Sequence, residues 1–392
     1  MIRDAIVLGL GAMGSSALYQ LAKRGGRVLG IDRFAPPHAM GSSHGDTRVT
    51  RKAIGEGDAY VPLVLRSYEL WREIEAASGE ELLRITGGLW ISSAARLAET
   101  HVANFFQNTL AAAKRFDIAH EVLEAREIRR RFPQFNVRDN EKGYYEPEAG
   151  FLRPEACVRA QLALAARLGA EAHCNERVEG FTESKGLATV RTDRGEYQAK
   201  QLIVCAGPWM GEFLPPEYTR TLKVTRQVSY WFELDLPVQH FEAPRFPVFI
   251  WELQERRHVI YGFPAIDGPQ GGLKIATEQY GIETSAATVE REVSEAEKRT
   301  MHENLVAPYV PGLGKKCVKA VACMYTATPD FQFVIDRLPG HAHVIIASAC
   351  SGHGFKHSAA VGEILAQMAM EGRGTLDIRA FAFDRLDVSA IG

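Results

Sequence analysis

The sequence lacks the features that mark membrane and nucleic-acid proteins. No window holds the 18 or so consecutive apolar residues of a membrane-spanning helix. Neither sign of charge dominates, since 46 Lys and Arg face 48 Asp and Glu for a net charge of -2. Without a strong positive field, the chain has no general means of attracting a polyanion. We therefore predict neither a membrane nor a nucleic-acid partner.

The cysteine and histidine patterns are equally uninformative for metals. The six cysteines are scattered, with no Cys-x-x-Cys pair, which favours reduced thiols over a disulfide framework. His341-x-His343 and His353-x-x-x-His357 have metal-like spacing, but neither is accompanied by a recognisable third ligand. The basic run 129–131 follows Glu124 and Glu127, which is typical of a solvated helix face. We predict no metal site.

Composition and termini point to an ordinary globular enzyme. The 392 residues are 46% hydrophobic and 24% charged, enough for two or three domains. The apolar run at residues 5–8 follows Asp4 and leads into glycines, which favours a first strand over a signal peptide. The last residues are not a peroxisomal address. We therefore expect a cytoplasmic protein.

The order of apolar runs predicts an α/β fold. Strand 5–8, helix 12–24 and strand 28–31 form a unit that requires a parallel pair. Further buried strands are expected near residues 202 and 344, whereas 221–263 alternate as in an antiparallel sheet. Other helices are predicted at 58–77, 98–115, 154–169 and 288–306. The prediction is a Rossmann-like domain built from separated segments (1–79, 146–218 and 320–392) and an inserted antiparallel-sheet substrate domain (80–145 and 219–319).

A glycine motif at the end of the first strand predicts a dinucleotide site. Gly9, Gly11 and Gly14 have the spacing that allows a tight turn, close approach of a pyrophosphate, and helix packing. Asp32 ends the second strand, where a carboxylate can accept hydrogen bonds from ribose hydroxyls. The carboxylate argues against NADP but does not separate NAD from FAD. Residues 202–207 and 343–354, each a strand followed by small residues, favour the longer FAD, although ordinary strand-to-helix turns would look similar.

Three motifs resemble the monomeric sarcosine oxidase family, which includes N-methyltryptophan oxidase and pipecolate oxidase. They are Gly41-Ser-Ser-His-Gly-Asp-Thr-Arg-Val-Thr-Arg51 with Gly55-Glu-Gly, Ala320-Val-Ala-Cys-Met-Tyr-Thr, and Ser351-Gly-His-Gly-Phe-Lys. The similarity covers essentially the whole chain. It implies a monomeric flavoenzyme of the D-amino-acid-oxidase-like fold that oxidises the C–N bond of a secondary amino acid such as sarcosine. The imine would hydrolyse, and oxygen would be reduced to hydrogen peroxide.

The resemblance also implies roles for individual residues. FAD would be attached through a thioether to Cys323, since a thiolate is the nucleophile required. Lys274 would activate oxygen, with Arg48 and His44 lining the flavin and Tyr261 in the substrate pocket. Arg51 and Lys356 would bind the substrate carboxylate, for which Arg is well suited. The remaining cofactor contacts implied are Gly9, Gly11, Gly14, Asp32, Arg33, Ser42, Gly352, His353, Gly354 and Lys356.

Other readings of these residues stay open at this point. Without the resemblance, Cys323 would be a small core residue, Arg51 a surface ion pair and Lys274 an exposed strand lysine. Two positions depart from the family, where Ser43 and Glu278 replace histidines. Glu278 could favour a cationic or larger amine, or it could be turned to solvent.

Two other functions are compatible with the fold. One is an FAD-dependent amino-acid dehydrogenase that passes electrons to an acceptor other than oxygen, a reading that the presence of Lys274 disfavours. The other is a non-catalytic dinucleotide-binding protein. The joint presence of Cys323, Arg51, Lys356 and Lys274 argues against it.

Overall fold

The computed structural model describes residues 1–93, 102–253 and 258–386. The strands, in chain order, are β1 Arg3–Leu8, β2 Val28–Ile31, β3 Arg48–Thr50, β4 Leu83–Ile85, β5 Gly88–Ser93, β6 Glu121–Glu124, β7 Glu141–Glu146, β8 Gly150–Leu152, β9 Glu171–His173, β10 Val178–Ser184, β11 Leu187–Thr192, β12 Glu196–Val204, β13 Lys223–Leu234, β14 Val248–Leu253, β15 His258–Gly262, β16 Leu273–Thr277, β17 Glu283–Thr284, β18 Leu313–Ala327, β19 Val334–Arg337 and β20 Val344–Ser348. The α-helices are α1 Ala12–Lys23, α2 Tyr60–Ser78, α3 Phe105–Arg115, α4 Ala125–Arg131, α5 Pro154–Arg167, α6 Pro216–Thr219, α7 Glu295–Met301 and α8 Ser358–Glu371.

The first sheet joins segments from both ends of the chain. Its order is β10-β11-β12-β1-β2-β9, with β20 added to β12 and β19 to β20. Strand β1 lies between β2 and β12 and is parallel to both, and β20 is parallel to β12. The expected parallel strands near the N-terminus, near residue 202 and near residue 344 are thus neighbours in one sheet. The α/β fold class is confirmed.

Helix α1 packs on β1 and β2, helix α8 packs on β12 and β20, and α1 also contacts both α5 and α8. Their contact surface is built of small and aliphatic residues, which allows the helix axes to approach closely. At Gly362 of α8 a Cβ atom would lie 2.1 Å from Ser16 Oγ on α1, so only glycine permits this crossing. The tight crossing holds the start of α1 against the end of β1.

The second sheet carries the expected antiparallel material. Its order is β17-β13-β16-β15-β14-β5-β7-β6, and β18 runs beside β13 for most of its length. One pair departs from the expectation, since β5 and β14 are parallel. A cluster of buried aromatic side chains fills the space behind this sheet, including Phe135, Phe246, Phe249 and Trp251.

A third, small sheet has the order β3-β8-β4. Its strand β3, residues 48–50, was not predicted from the sequence and pairs with β8 residues 150–152. A three-residue strand leaves little periodicity in the sequence, so only its distant partner reveals it. This sheet fixes the backbone between the predicted site residues Arg48 and Arg51.

Two predicted helices are shorter than expected. The helix predicted at 288–306 begins at Glu295, where Ser294 and Glu297 form a reciprocal capping box, and it continues as a π-helical turn over His302–Val306. The helix predicted at 98–115 begins at Phe105 after Asn104, whose φ of 58° is not helical. Residues 98–101 lie outside the described residues.

The residue ranges predicted for the two domains stay a prediction, and their residues 94–101, 254–257 and 387–392 lie outside the described chain. Among the described residues, no helix combines the length and the apolar character that a bilayer crossing requires. Within the same residues, no three His, Cys, Asp or Glu side chains are grouped as metal ligands would be.

Candidate active site

A single long cleft runs between the first sheet and the second. At one end its wall is made by the glycine turn after β1, by the end of β2 and by residues 205–207. At the other end the wall is made by Arg51, Glu56, Tyr261, Glu278 and Lys356. The cleft therefore connects the predicted dinucleotide motif with the predicted substrate residues.

The glycine turn has no room for larger residues. Gly9 has a φ of +83°, and a Cβ there would lie 2.5 Å from the carbonyl oxygen of Cys205. A Cβ on Gly14 would lie 1.7 Å from the carbonyl oxygen of Gly9. Gly11, by contrast, lines the cleft, and its Cβ would meet only Ser43 Oγ within 4 Å. The three glycines thus form a bare backbone cradle at the start of α1, as a pyrophosphate requires.

Asp32 is held rigidly at the end of β2. Its carboxylate accepts hydrogen bonds from the backbone N–H of Leu10 at 2.7 Å and of Phe34 at 2.8 Å. His38 Nε2 lies 3.5 Å from the same side chain. Arg33, the next predicted cofactor residue, forms an ion pair with Glu212 at the cleft rim, 2.5 Å between Nη2 and Oε2.

Two serines face the start of α1. Ser43 Oγ accepts a hydrogen bond from Ala12 N at 3.1 Å and thereby caps the start of the helix. The neighbouring Ser42 Oγ is buried and, among the described residues, has no hydrogen-bond partner, although Ser42 lines the cleft. An unsatisfied buried hydroxyl beside a cradle for phosphates is a group that a polar ligand would satisfy.

Cys323 and the turn after β20 form the middle of the cleft. Cys323 lies on β18 opposite Gln227, is 7% exposed, and is a free thiol. Gly352 has a φ of +82°, and a Cβ on Gly354 would lie 1.8 Å from the carbonyl oxygen of Ala349. Together with His353, whose Nε2 lies 3.0 Å from Phe331 O, these glycines bring the backbone to the cleft wall.

Arg51 and Lys356, the predicted carboxylate-binding pair, converge on a buried glutamate. Glu56 Oε2 lies 2.6 Å from Arg51 Nη2, and Glu56 Oε1 lies 3.7 Å from Lys356 Nζ. Arg51 is buried between the rings of Trp90 and Phe105, at 5.6 and 5.0 Å. Arg51 is therefore not a surface ion pair, and its cation is matched by an internal carboxylate.

Both cations of this cluster retain capacity for a further anion. Arg51 Nε is buried and has no hydrogen-bond partner among the residues described. Lys356 Nζ donates to the carbonyl of His353 at 2.7 Å. Burial lowers the pKa of Lys356 to about 7, while the Glu56 carboxylate opposes the shift. The charge of this cluster therefore changes close to neutral pH.

A second acid, Glu278, lies at the end of β16 and is half-buried in the cleft wall. It is not turned to bulk solvent. Tyr261 and Tyr325 lie beside it, with their hydroxyl oxygens 3.4 Å apart. Burial raises the pKa of Tyr261 to about 12, so its hydroxyl stays protonated and can donate.

Lys274, Arg48 and His44 surround the loop Gly45–Thr47. Lys274 is 3% exposed, which excludes the exposed-lysine reading. Its Nζ donates to Gly45 O at 2.5 Å and to Thr47 O at 3.0 Å. Arg48 donates to Thr47 O and to Ser42 O and lines the cleft. The described cleft lining does not include Lys274, His44 or Gly14, which form the layer behind it.

His44 is held neutral in this layer. Burial lowers its pKa to about 3, and the nearby Arg48 cation adds to the effect. A histidine with such a pKa carries no positive charge near neutral pH. The positive charge on this part of the wall is therefore that of Arg48.

Several contacting residues were missed by sequence reasoning. Glu56 lies between Gly55 and Gly57, within one of the family motifs. Its position five residues after Arg51 could have indicated that it pairs with this arginine. Glu146 is fully buried and accepts from the backbone N–H of Lys52 at 2.6 Å, directly after Arg51. Nothing in the sequence near residue 146 indicates this distant contact.

Comparisons with known proteins agree with this geometry. The family model described as FAD dependent oxidoreductase matches residues 4–368. Monomeric sarcosine oxidase of Streptomyces avermitilis is 41% identical over 384 residues, which is 98% of this chain and 97% of that protein. N-methyl-L-tryptophan oxidase of Yersinia pestis is 35% identical over 385 residues, 97% and 99% of the two chains. The chain belongs to the FAD-dependent oxidoreductase family. The predicted family resemblance is confirmed.

A solved structure shows the same fold at lower sequence identity. NikD, described as an unusual amino acid oxidase, superposes with a TM-score of 0.84 over 97% of each chain at 22% identity. The glycine cradle, Asp32 and the unsatisfied hydroxyl of Ser42 fit the cofactor that gives the family its name. The long cleft provides room for both nucleotide and flavin ends.

The pKa of Lys356 predicts a pH dependence for anion binding. We expect propionate, a carboxylate without an amine, to bind the flavoprotein more weakly as the pH rises through about 7. Above that pH the loss approaches about tenfold per unit, because neutral Lys356 must regain a proton to bind the anion. Binding is measured by the change in flavin absorbance.

Lys356→Arg serves as the control, since its guanidinium does not lose a proton in this range. Its affinity for propionate should stay nearly constant with pH. If the wild-type protein gives the same flat profile as Lys356→Arg, Lys356 does not titrate in the way described.

Proposed function

We propose that this protein is an oxidase of secondary amino acids. It oxidises the C–N bond of an N-alkyl or cyclic amino acid, releases an imine that hydrolyses, and reduces oxygen to hydrogen peroxide. The observation that supports this most is the cleft itself, which joins the glycine cradle to the buried pair Arg51 and Lys356. The relatives named as sarcosine and N-methyl-L-tryptophan oxidases support the same reaction class.

The substrate carboxylate binds between Arg51 and Lys356. The unsatisfied Nε of Arg51 offers one donor, and Lys356 Nζ offers a charged donor. Glu56 holds both cations in place before substrate arrives, because their charges would otherwise be buried without compensation. The substrate therefore competes with the Glu56 carboxylate for Arg51 and Lys356. This competition favours ligands that carry a negative charge.

The substrate amine lies toward Tyr261, Tyr325 and Glu278. An ammonium group is a poor hydride donor, so the amine loses its proton before oxidation. The protonated Tyr261 hydroxyl can donate to an amine or imine nitrogen but cannot remove a proton near neutral pH. Proton loss is then favoured by the nearby cations of Arg51 and Lys356 rather than by a dedicated base.

FAD, when bound, would supply the two-electron redox chemistry that links substrate oxidation to oxygen. The cradle at Gly9, Gly11 and Gly14 would hold its pyrophosphate, and Cys323 would attach it through a thioether. Arg48 supplies positive charge at the cleft wall, and Lys274 lies behind the loop that borders it.

The protein acts as a cytoplasmic monomer. A dehydrogenase using another acceptor is disfavoured by a lysine buried at this position.

The proposed reaction predicts substrate-dependent peroxide. The purified yellow protein should release peroxide with at least one of sarcosine, N-methyl-tryptophan, pipecolate, proline or a cationic N-alkyl amino acid. Lys274→Met should slow reoxidation by oxygen at least about tenfold and leave flavin reduction nearly unchanged, because a fixed charge stabilises negative charge formed on oxygen. Stopped-flow absorbance separates the two half-reactions.

Lys316→Met is the matched control, since Lys316 is an exposed lysine on the neighbouring long strand β18. It should leave both half-reactions unchanged. Flavin bleaching without peroxide in the wild-type protein would identify a dehydrogenase. Equal slowing of both half-reactions in Lys274→Met would argue against its proposed role.

Covalent attachment through Cys323 is tested by removing each of two cleft-lining thiols. Cys323→Ala should release FAD into the supernatant on acid precipitation, since no thioether remains. Cys350→Ala, which removes the other thiol in this part of the cleft, should retain the flavin in the pellet. Retention of flavin by Cys323→Ala would place the attachment elsewhere.

Glu278 is proposed to favour a substrate with a second positive charge. The wild-type protein should prefer N-methyl-lysine to the neutral N-methyl-norleucine, and Glu278→Gln should reduce the ratio of their kcat/KM values about tenfold, as expected for one partly buried charge pair. Glu283→Gln, an exposed acid on β17, is the control. An unchanged ratio in Glu278→Gln would show that Glu278 does not select charge.

A further inference from the structure

The loop Gly45–Thr47 is bonded on two opposite sides. On one side, Lys274 Nζ donates to the carbonyls of Gly45 and Thr47 at 2.5 and 3.0 Å. On the other side, Glu155 Oε1 accepts from the backbone N–H of Gly45 at 2.6 Å and of Asp46 at 3.2 Å. The loop thus stands between a buried ammonium group and a carboxylate.

Positive charge accumulates on the inner side of this loop. Thr47 O accepts from Arg48 Nη1 at 2.9 Å as well as from Lys274. Burial and the Arg48 cation both lower the pKa of Lys274, so its charged form needs compensation. Two carbonyl oxygens supply part of it. The hydrogen bond from Asp46 N to Glu155 strengthens the polarity of the Gly45–Asp46 peptide, whose carbonyl oxygen accepts from Lys274.

Two acidic residues, Asp46 and Glu155, lie on the outer side of the loop, and their surroundings differ. Asp46, with a φ of 67°, pairs with Lys319 at 2.6 Å between Oδ2 and Nζ. Glu155 forms no ion pair within the described part of the chain, and its oxygen is engaged by the two loop amides. It lies in the first turn of α5, where the helix dipole favours a negative charge. Its charge is therefore directed at the loop.

We propose that Glu155 is a positioning residue that favours the protonated form of Lys274 by acting through the Gly45–Asp46 peptide. The inference rests on the proposed oxidase function, since it concerns the lysine assigned there to the reaction with oxygen. Glu155 itself contacts neither the long cleft nor, by this geometry, the substrate. It lies in a surface cleft with Asp46, Glu81, Arg153 and Arg159.

All charged and titratable groups that face Lys274 enter this balance. Arg48 disfavours its charged form, while Asp46 and Glu155 favour it, and Cys323 carries no charge once it is joined to the flavin. His44 is neutral, so it contributes no opposing charge. Lys319 lies across the Trp231 ring, with the two ammonium groups 4.5 and 5.2 Å from its centre, and its charge is matched by Asp46. Of the two acids, Asp46 acts more strongly on Lys274 but also pairs with Lys319, whereas Glu155 forms no ion pair in the described part of the chain and bonds the loop amides.

A direct titration tests the inference without relying on turnover. The flavoprotein is labelled with ¹³Cε-lysine, and the Lys274 resonance is identified by its loss in Lys274→Met. In Glu155→Gln the amide oxygen can still accept from Gly45 N and Asp46 N, but the negative charge is gone. We expect the Lys274 titration midpoint to fall by about one pH unit, because the charged form loses a stabilising anion.

Two further variants separate charge from loop support. Glu155→Asp keeps the charge but withdraws the hydrogen-bonding oxygen, so its midpoint should lie nearer the wild-type value than that of Glu155→Gln. Glu81→Gln removes one exposed charge from the same surface cleft without touching the loop, and should leave the midpoint unchanged. The proposal would be overturned if the Lys274 midpoints of wild type and Glu155→Gln were equal, or if Lys274 titrated in neither protein. It would also be overturned if the midpoint shifted less in Glu155→Gln than in Glu155→Asp.

The reaction with oxygen supplies a second readout. In Glu155→Gln the pH at which reoxidation slows should move down by the same amount as the Lys274 midpoint, while the rate of flavin reduction by substrate stays unchanged. A reoxidation profile that does not follow the midpoint would also overturn the proposal. If the wild-type protein does not react with oxygen, the proposed function fails, and the titration alone still decides the role of Glu155.

Discussion

Three cations, Arg51, Lys274 and Lys356, are almost fully buried around one cleft, and their removal from water is the constraint on which the surrounding structure depends. An isolated buried charge is highly unfavourable, so each must be matched by an anion or by peptide dipoles. Glu56 matches Arg51 and Lys356, and two loop carbonyls hold Lys274. The site is a set of compensated charges rather than a row of free ones.

The small β3-β8-β4 sheet explains how these charges keep their places. The sheet is short, but its pairing fixes the backbone from Arg48 to Arg51. Glu146 then accepts hydrogen bonds from the next two backbone N–H groups, those of Lys52 and Ala53. The pKa of Glu146 is raised by burial, opposed by these hydrogen bonds and the nearby Arg51. The Glu146 carboxylate stabilises this loop only while the backbone N–H groups of Lys52 and Ala53 point at it. The position of the Arg51 side chain therefore depends on the backbone that follows it.

The sequence predicted local features well and long-range contacts poorly. Gly9, Gly11, Gly14 and the flanking strands were identified because a strand, a turn and a helix follow each other within a few residues. The burial of Lys274 was not visible, since it depends on a loop more than 200 residues earlier in the chain. The β3 strand and the roles of Glu56, Glu146 and Glu155 were missed for the same reason. Family motifs indicated which residues belong to the site. The acidic residues that compensate their charges could be identified only from the folded structure.

The pairing of β1 with β12, and of β12 with β20, has a consequence for how the protein is made. The N-terminal strand cannot complete its sheet until residues 201–204 have been synthesised. The end of β12 that extends beyond β11 lacks its partner β20 until residues 344–346 emerge. Contacts between such distant segments form slowly, because a long loop must close first. The wall of the cleft beside the glycine cradle is therefore complete only after β12 and β20 have joined the sheet, so the pairing of distant segments decides when the site exists.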